Sequence, residues 1–205
     1  MGIDAALALH DRLASRQSAS LAIAADGQAI VGLPRTPGEL FRADYAPRLA
    51  LRIAGRGADC LALARIASAA QIDVSLALPD VEDAAAARAA GLTRVEALSV
   101  PTALPAIDDD TATGFVLMFH DSEWEVPLLQ QALAGPAVYI GAVGSAQTHR
   151  RRCQALAAAG SSATDIARIH GPVGLVQSMR SASMLGVSVL AELIAVYNQV
   201  EVAHV

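Results

Sequence analysis

Four segments of this chain carry residue types at spacings suited to chemistry. The most informative is Tyr139-Ile-Gly-Ala-Val-Gly-Ser145, followed by Ala-Gln-Thr148-His149-Arg150-Arg151-Arg152. It reads as the end of a buried strand, a glycine turn and the start of a helix. Gly141 and Gly144 let the backbone pass close to a ligand. The helix N-terminus behind them offers unpaired N–H groups and a partial positive charge. Thr148 and the arginines add side-chain donors. Consecutive helical residues point about 100° apart, so Arg150, Arg151 and Arg152 cannot all face one ligand. The combination suits a phosphate or similar anion; the alternative is a plain structural turn.

His120-Asp121 follows the apolar run Phe115-Val-Leu-Met-Phe119. At a strand end, His120 could donate to an anion or carry a proton; equally, it could simply bond a nearby carbonyl. Arg168-Ile-His170-Gly171-Pro172-Val-Gly174-Leu175 predicts an irregular loop led by His170. It is either a second pocket wall or a rigid connector. The fourth segment, Gly55-Arg-Gly57-Ala-Asp-Cys60, is a glycine turn at a strand–helix junction. A dinucleotide fingerprint wants a small third residue, where Cys60 stands, and an acid ending the next strand, where Leu78-Pro79 precede Asp80. That turn is read first as a structural junction, with NAD(P) binding as the alternative. Cys60 and Cys153 are read as packing rather than nucleophiles, and Trp124 as packing on the sheet edge. Asp108-Asp-Asp110 is read as an exposed acidic loop rather than a metal site.

These segments need elements to hold them. Apolar residues at helical spacing run from 3 to 15, and Ser20–Leu33 predicts two short strands joined by Asp26-Gly27. Pro34, Pro37, Gly38 and Pro47 mark a linker. Domains are therefore expected at 1–46, a small appendage, and 47–205. From Leu49 short aliphatic strands alternate with helices. Strands are expected at 49–54, 72–78, 94–98, 114–119 and 137–140. Helices are expected at 58–70, 81–90, 122–133, 147–159 and 181–199, with a helical turn at 164–169. Ser122 is the expected N-cap of its helix, with Glu125 at the capping-box position. This alternation predicts an α/β, Rossmann-like, doubly wound parallel sheet, with the helix and hairpin as its N-terminal appendage. Such sheets bind ligands at the carboxyl ends of their strands.

Composition narrows the function. The net charge of −5 argues against nucleic-acid binding. Every basic residue is arginine, which excludes Schiff-base chemistry at lysine and a P-loop lysine. No run of strongly apolar residues is long enough to predict a membrane span, and the first residues lack a basic leader. Two cysteines at unrelated spacing fit a reducing cytoplasm and supply too few ligands for a zinc cluster.

Taken in order and spacing, several segments resemble the XdhC/CoxI family, accessory proteins of molybdenum hydroxylases such as xanthine dehydrogenase. They are Phe119-His-Asp121, Tyr139–Ser145 with Thr148-His149, Arg168–Leu175, and Val189-Leu-Ala-Glu-Leu193. The resemblance runs from about Glu39 to the last helix. It implies a maturation role more than catalysis: binding the molybdenum cofactor (molybdopterin), assisting its sulfuration with a cysteine desulfurase, and helping insert it into an apo molybdenum hydroxylase. On this implication Gly141, Gly144, Ser145 and Thr148 hold the phosphate, and His120 and His170 lie near the pterin or metal end. Asp121, Gly171 and Gly174 complete that pocket, with Gly55 and Gly57 on its other side. A homodimer or a fuller paralogue is the expected partner within the family. The glycine-glycine-cysteine motif of the family's larger N-terminal domain has no counterpart here. The competing expectations are an NAD(P)-linked oxidoreductase and a scaffold with a degenerate pocket.

Overall fold

Short aliphatic strands separated by helices cannot pair as hairpins, so each must reach its neighbour by a crossover and form a parallel ladder. The computed structural model describes residues 3–32, 39–105 and 109–202. Among the described residues the chain divides into two compact units, one of residues 3–48 grouped with 201–202 and one of residues 49–200.

The first unit contains α1 (Ile3–Ala14), β1 (Ala19–Ala24), β2 (Ala29–Val31) and β3 (Glu39–Tyr45). Its antiparallel sheet has the order β2-β1-β3. The Asp26-Gly27 turn forms as expected. Gly27 takes a left-handed φ of +82°, and Asp26 Oδ1 accepts from the Gln28 N–H at 2.9 Å. The expected linker is corrected in part, because residues 39–45 form β3, paired with β1 from Ala19↔Tyr45 to Ala24↔Glu39. Leu40 and Phe41 are both exposed, so this strand lacks the clean alternation that betrays a half-buried one. Leu33, Pro34, Pro37 and Gly38 lie outside the described residues.

The second unit opens with β4 (Ala50–Gly55), α2 (Gly57–Ala69), β5 (Asp73–Leu78), α3 (Val81–Ala89) and β6 (Val95–Ala97). It continues with β7 (Thr113–Met118), α4 (Ser122–Leu133), β8 (Tyr139–Ala142) and α5 (Ala146–Ala158). It ends with α6 (Ala163–Ile166), β9 (Ile169–His170) and α7 (Ala182–Val202). The six-stranded sheet runs β6-β5-β4-β7-β8-β9, and every pairing is parallel. This is the doubly wound Rossmann order, with its topological switch between β4 and β7. The strand β9 was not expected. It is two residues long, pairs Ile140↔Ile169 and Gly141↔His170, and is too short to show a period.

Both faces of the sheet are covered. Leu51, Ile53, Val116 and Met118 pack on one side with Leu63 of α2 and Leu193 of α7. Phe115, Leu117 and Ile140 pack on the other with Leu128 of α4 and Leu156 of α5. By length and composition α7 could cross a membrane, with mean hydropathy 1.2 over Ala182–Gln199. Its inner face is instead applied to the sheet, where Val189 and Leu193 are fully buried.

The cap of α4 is a correction. Asp121 rather than Ser122 caps it, with its carboxylate accepting from the Glu123 N–H at 3.0 Å. Glu125 is buried elsewhere and does not complete a capping box. The acidic loop is corrected too. Asp109 pairs with buried Arg52 of β4 at 3.1 Å, and Asp110 accepts from the Ala112 N–H and the Thr113 hydroxyl. Asp108 lies outside the described residues.

Two glycines allow close approach inside this sheet. A Cβ on Gly55 would stand 2.4 Å from Met118 Cβ and 2.8 Å from its carbonyl oxygen. One on Gly114 would stand 2.6 Å from a methyl of Leu193, the movable end of a side chain. Gly55→Ala is therefore expected to lose more stability than Gly114→Ala, at or above the ~1–3 kcal/mol typical of overpacking. Urea unfolding of both variants checks the order; equal losses would show that β4 and β7 separate freely.

Candidate functional site

Because the strands are parallel, their carboxyl ends lie along one edge. In the order β4-β7-β8-β9 this edge presents Gly55–Gly57, His120-Asp121, Gly144-Ser145 and His170-Gly171. At about 4.8 Å per strand spacing the row is roughly 15 Å long.

The β8–α5 turn is built around Gly144, whose φ of +129° excludes other residues. A Cβ there would also meet Thr148 Cγ2 at 2.9 Å. Ser145 caps α5: its hydroxyl accepts from the Thr148 N–H at 3.1 Å and lies 3.0 Å from the Thr148 hydroxyl. The first main-chain bond of the helix runs from the His149 N–H to Ser145 O. The amides of Ala146 and Gln147 precede it, so they are the orphan donors of this helix start. Ser145, Ala146 and Gln147 are exposed.

Of the three arginines that follow, Arg150 and Arg151 are exposed and Arg152 is buried. Arg152 Nε and Nη2 each donate to the Glu125 carboxylate at 3.0 Å. Nη2 also donates to Val143 O at 2.6 Å. Arg152 is therefore a brace beneath the turn, not a ligand donor. Three residues before Arg152, His149 fills the space that a Gly171 Cβ would need. Its Nε2 lies 3.5 Å from Cys153 Sγ. Its Nδ1 is buried with no partner among the described residues. Burial, and then the charge of Arg152, hold its pKa below the ordinary value.

A second brace comes from α7. Glu192 accepts from the Tyr139 hydroxyl at 2.7 Å and from the Gly174 N–H at 2.6 Å. It also lies 3.4 Å from His170 Nδ1. Burial, reinforced by the Glu192 bond, pushes the Tyr139 hydroxyl up, so it remains a donor. The Tyr139 and His170 rings lie 4.6 Å apart. Gly141 leaves room for Tyr139 and Val173, and Gly174 for Ser188. Four expected site glycines, Gly141, Gly144, Gly171 and Gly174, thus make room for this chain's own side chains. Glu192 was not among the expected site residues. Its signal was present, since it is the sole charged residue between Arg180 and Glu201.

The β4 side differs. Gly57, at φ +80° with open space at its Cβ position, donates its N–H to Asp83 Oδ2 at 2.6 Å. Arg56 lies over Phe119 and Trp124, 5.3 and 5.8 Å from their centroids. Those two rings stack at 5.0 Å. Arg56 Nε also lies 3.6 Å from Asp80 Oδ2. Cys60 is fully buried. Burial and the nearby Asp83 and Asp59 push its thiol up, so it is no thiolate nucleophile. His120 is exposed beside Asp121.

A family model described as the XdhC Rossmann domain matches residues 51–193. The chain belongs to the XdhC family. It is 33% identical over 195 residues to the molybdenum cofactor insertion chaperone PaoD of Escherichia coli (strain K12), a match covering 93% of this chain and 55% of PaoD. The chain thus spans about half the length of that curated relative. The fold also resembles a crystal structure of a xanthine dehydrogenase from Bacillus halodurans, with TM-score 0.76 and 18% identity. That match covers 96% of this chain and 67% of the other. At this identity the likeness speaks to the fold alone.

Two outcomes follow from the braces of this XdhC-family domain. Removing one partner of a buried pair leaves the other charge uncompensated, so Glu125→Ala is expected to cost about 3–5 kcal/mol in urea unfolding. A loss below 1 kcal/mol would show that Arg152 has found water. His149 binds its proton less tightly folded than unfolded. Its contribution is therefore complete above the ordinary pKa of 6.5 and is withdrawn as pH falls through that value toward the lower folded one. The stability lost between neutral and mildly acidic pH should be smaller in His149→Gln than in the wild type; equal losses would exclude His149 as the source.

Proposed function

We propose that this chain binds the molybdenum cofactor and assists its maturation and insertion into a molybdenum hydroxylase. The observation that carries this reading is the exposed start of α5. There the orphan amides of Ala146 and Gln147 stand with the Ser145 and Thr148 hydroxyls at the carboxyl edge of a Rossmann sheet. That donor set fits a phosphate, which the cofactor's pterin carries. Membership in the XdhC family and the name of the relative PaoD support the same choice of ligand.

On this reading the α5 start and the Gly144 turn hold the phosphate. His170, aligned by Glu192, and His120-Asp121 line the way to the pterin and metal end. Gly171 and Gly174 shape the wall on the β9 side. When bound, the cofactor supplies the redox chemistry of the hydroxylase that receives it. This chain's residues bind and orient it, and the Tyr139–Glu192–Gly174 bonds keep the β9 loop in place. The proposed partners are the apo-hydroxylase and, for sulfuration, a cysteine desulfurase. A second copy or a fuller family member would complete the assembly.

The test is anaerobic purification after co-expression with a molybdenum-cofactor pathway, followed by assays of bound molybdenum and released oxidised pterin. Near-stoichiometric amounts of both are expected. Folded protein containing neither would overturn the proposal. Thr148→Asp should lower retention at least ten-fold, because its carboxylate repels the phosphate while still suiting a helix N-terminus. Thr148→Val should lower it much less. Gly144→Asp should abolish it. Equal retention in Thr148→Asp and Thr148→Val would remove the phosphate from this turn.

A further inference from the structure

The carboxyl edge carries a second glycine turn, Gly55-Arg-Gly57, beside the topological switch, where doubly wound sheets hold a dinucleotide's pyrophosphate. In this chain the amide that opens α2 already has an anionic partner. Gly57 N–H donates to Asp83 Oδ2 at 2.6 Å, across 26 residues of sequence. The carboxylate comes from the first turn of α3, so two helix starts are tied together by one acid. Gly57 itself is not crowded. It adopts φ +80°, and no atom lies within 4 Å of its Cβ position. The backbone is therefore shaped for a close ligand, and Asp83 is what stands against its N–H.

The surrounding charge acts in the same direction. Asp59 lies in the first turn of α2, and both Asp59 and Asp83 are near enough to act on the Cys60 thiol. The nearby cation, Arg56, is engaged by Asp80 and by the Phe119 and Trp124 rings. Arg56 is thus paired with Asp80, and Asp59 and Asp83 add two further carboxylates around the α2 start. A doubly charged pyrophosphate approaching Gly57 would have to displace one carboxylate and remain close to the others. The α5 start has no acid in its first turn.

We infer that Asp83 is a specificity-determining residue: its carboxylate occupies the phosphate place at the α2 N-terminus and closes the β4 half of the edge to dinucleotides and other phosphate esters. Building on the function proposed above, this confines the phosphate of the cofactor to the β8–α5 turn. It also accounts for a glycine turn that resembles a nucleotide site and lacks the fingerprint's remaining residues.

The experiment follows the Gly57 amide in 1H–15N spectra of the whole chain, titrated with inorganic pyrophosphate and with adenosine diphosphoribose. In the wild type the Gly57 peak should not move at millimolar concentration. Asp83→Ala vacates the place and should gain at least ten-fold in pyrophosphate affinity, with Gly57 shifting. Asp83→Asn keeps the shape, removes the charge and should gain less. A wild-type Gly57 peak that moves with either ligand would overturn the inference. So would the absence of any gain in whichever variant remains folded by thermal unfolding. Molybdenum and pterin retention, measured on the same proteins, separates the two readings. Wild type that fails to retain cofactor while Gly57 behaves as expected would remove the proposed function and leave the role of Asp83 standing.

Discussion

The buried guanidinium of Arg152 is the constraint on which the candidate site rests. It binds the Glu125 carboxylate through two nitrogens and the Val143 carbonyl through one of them. One side chain thereby ties α5 to α4 and to the turn between β8 and α5. A charge this deep is costly without a partner, and a bidentate pair leaves little freedom in angle. Gly144 and Ser145 follow Val143 directly, so the position of the α5 start is inherited from this pair. His149, one turn of helix before Cys153, then transmits that position to Gly171, whose missing side chain admits the ring.

Glu192 plays the corresponding part for the β9 side. Its carboxylate gathers the Tyr139 hydroxyl, the Gly174 amide and His170 Nδ1. Three segments, β8, β9 and the loop after it, are joined by one acid on a helix that otherwise presents apolar residues to the sheet. The two braces explain why most of the glycines at this edge are needed. They make room for Tyr139, Val173, Thr148, His149 and Ser188, while Ser145, Ala146 and Gln147 remain exposed at the start of α5. The carboxyl edge consequently has two unlike halves. At β8–α5 the helix start is exposed and free of acids; at β4–α2 a carboxylate stands on the first amide.

Much of this protein could be read from local pattern. Aliphatic runs punctuated by glycine and proline imposed the parallel sheet and the positions of its five longer strands. Asp26-Gly27 required a hairpin, and the glycine turn after Tyr139 marked the start of a helix. The lack of lysine removed Schiff-base and P-loop chemistry, which need that side chain. What local pattern could not decide was which polar residues turn inward. Arg150, Arg151 and Arg152 are equivalent in composition, and their rotation about α5 chooses Arg152. Likewise Glu125 would stand at the capping-box position only if Ser122 capped α4; with Asp121 as the cap it falls one residue too far along, and its carboxylate turns inward to Arg152.

The sequence by itself determined the class of fold and the residue types that stand at the carboxyl edge of its sheet. Periodicity and turn chemistry act over a few residues and need no knowledge of the rest of the chain. Only the tertiary structure decided that Asp83 meets Gly57, that Glu192 meets Tyr139 and that β9 exists at all. Each of these depends on groups brought together across crossovers, where the cost of burying a charge or leaving an amide unpaired selects the partner.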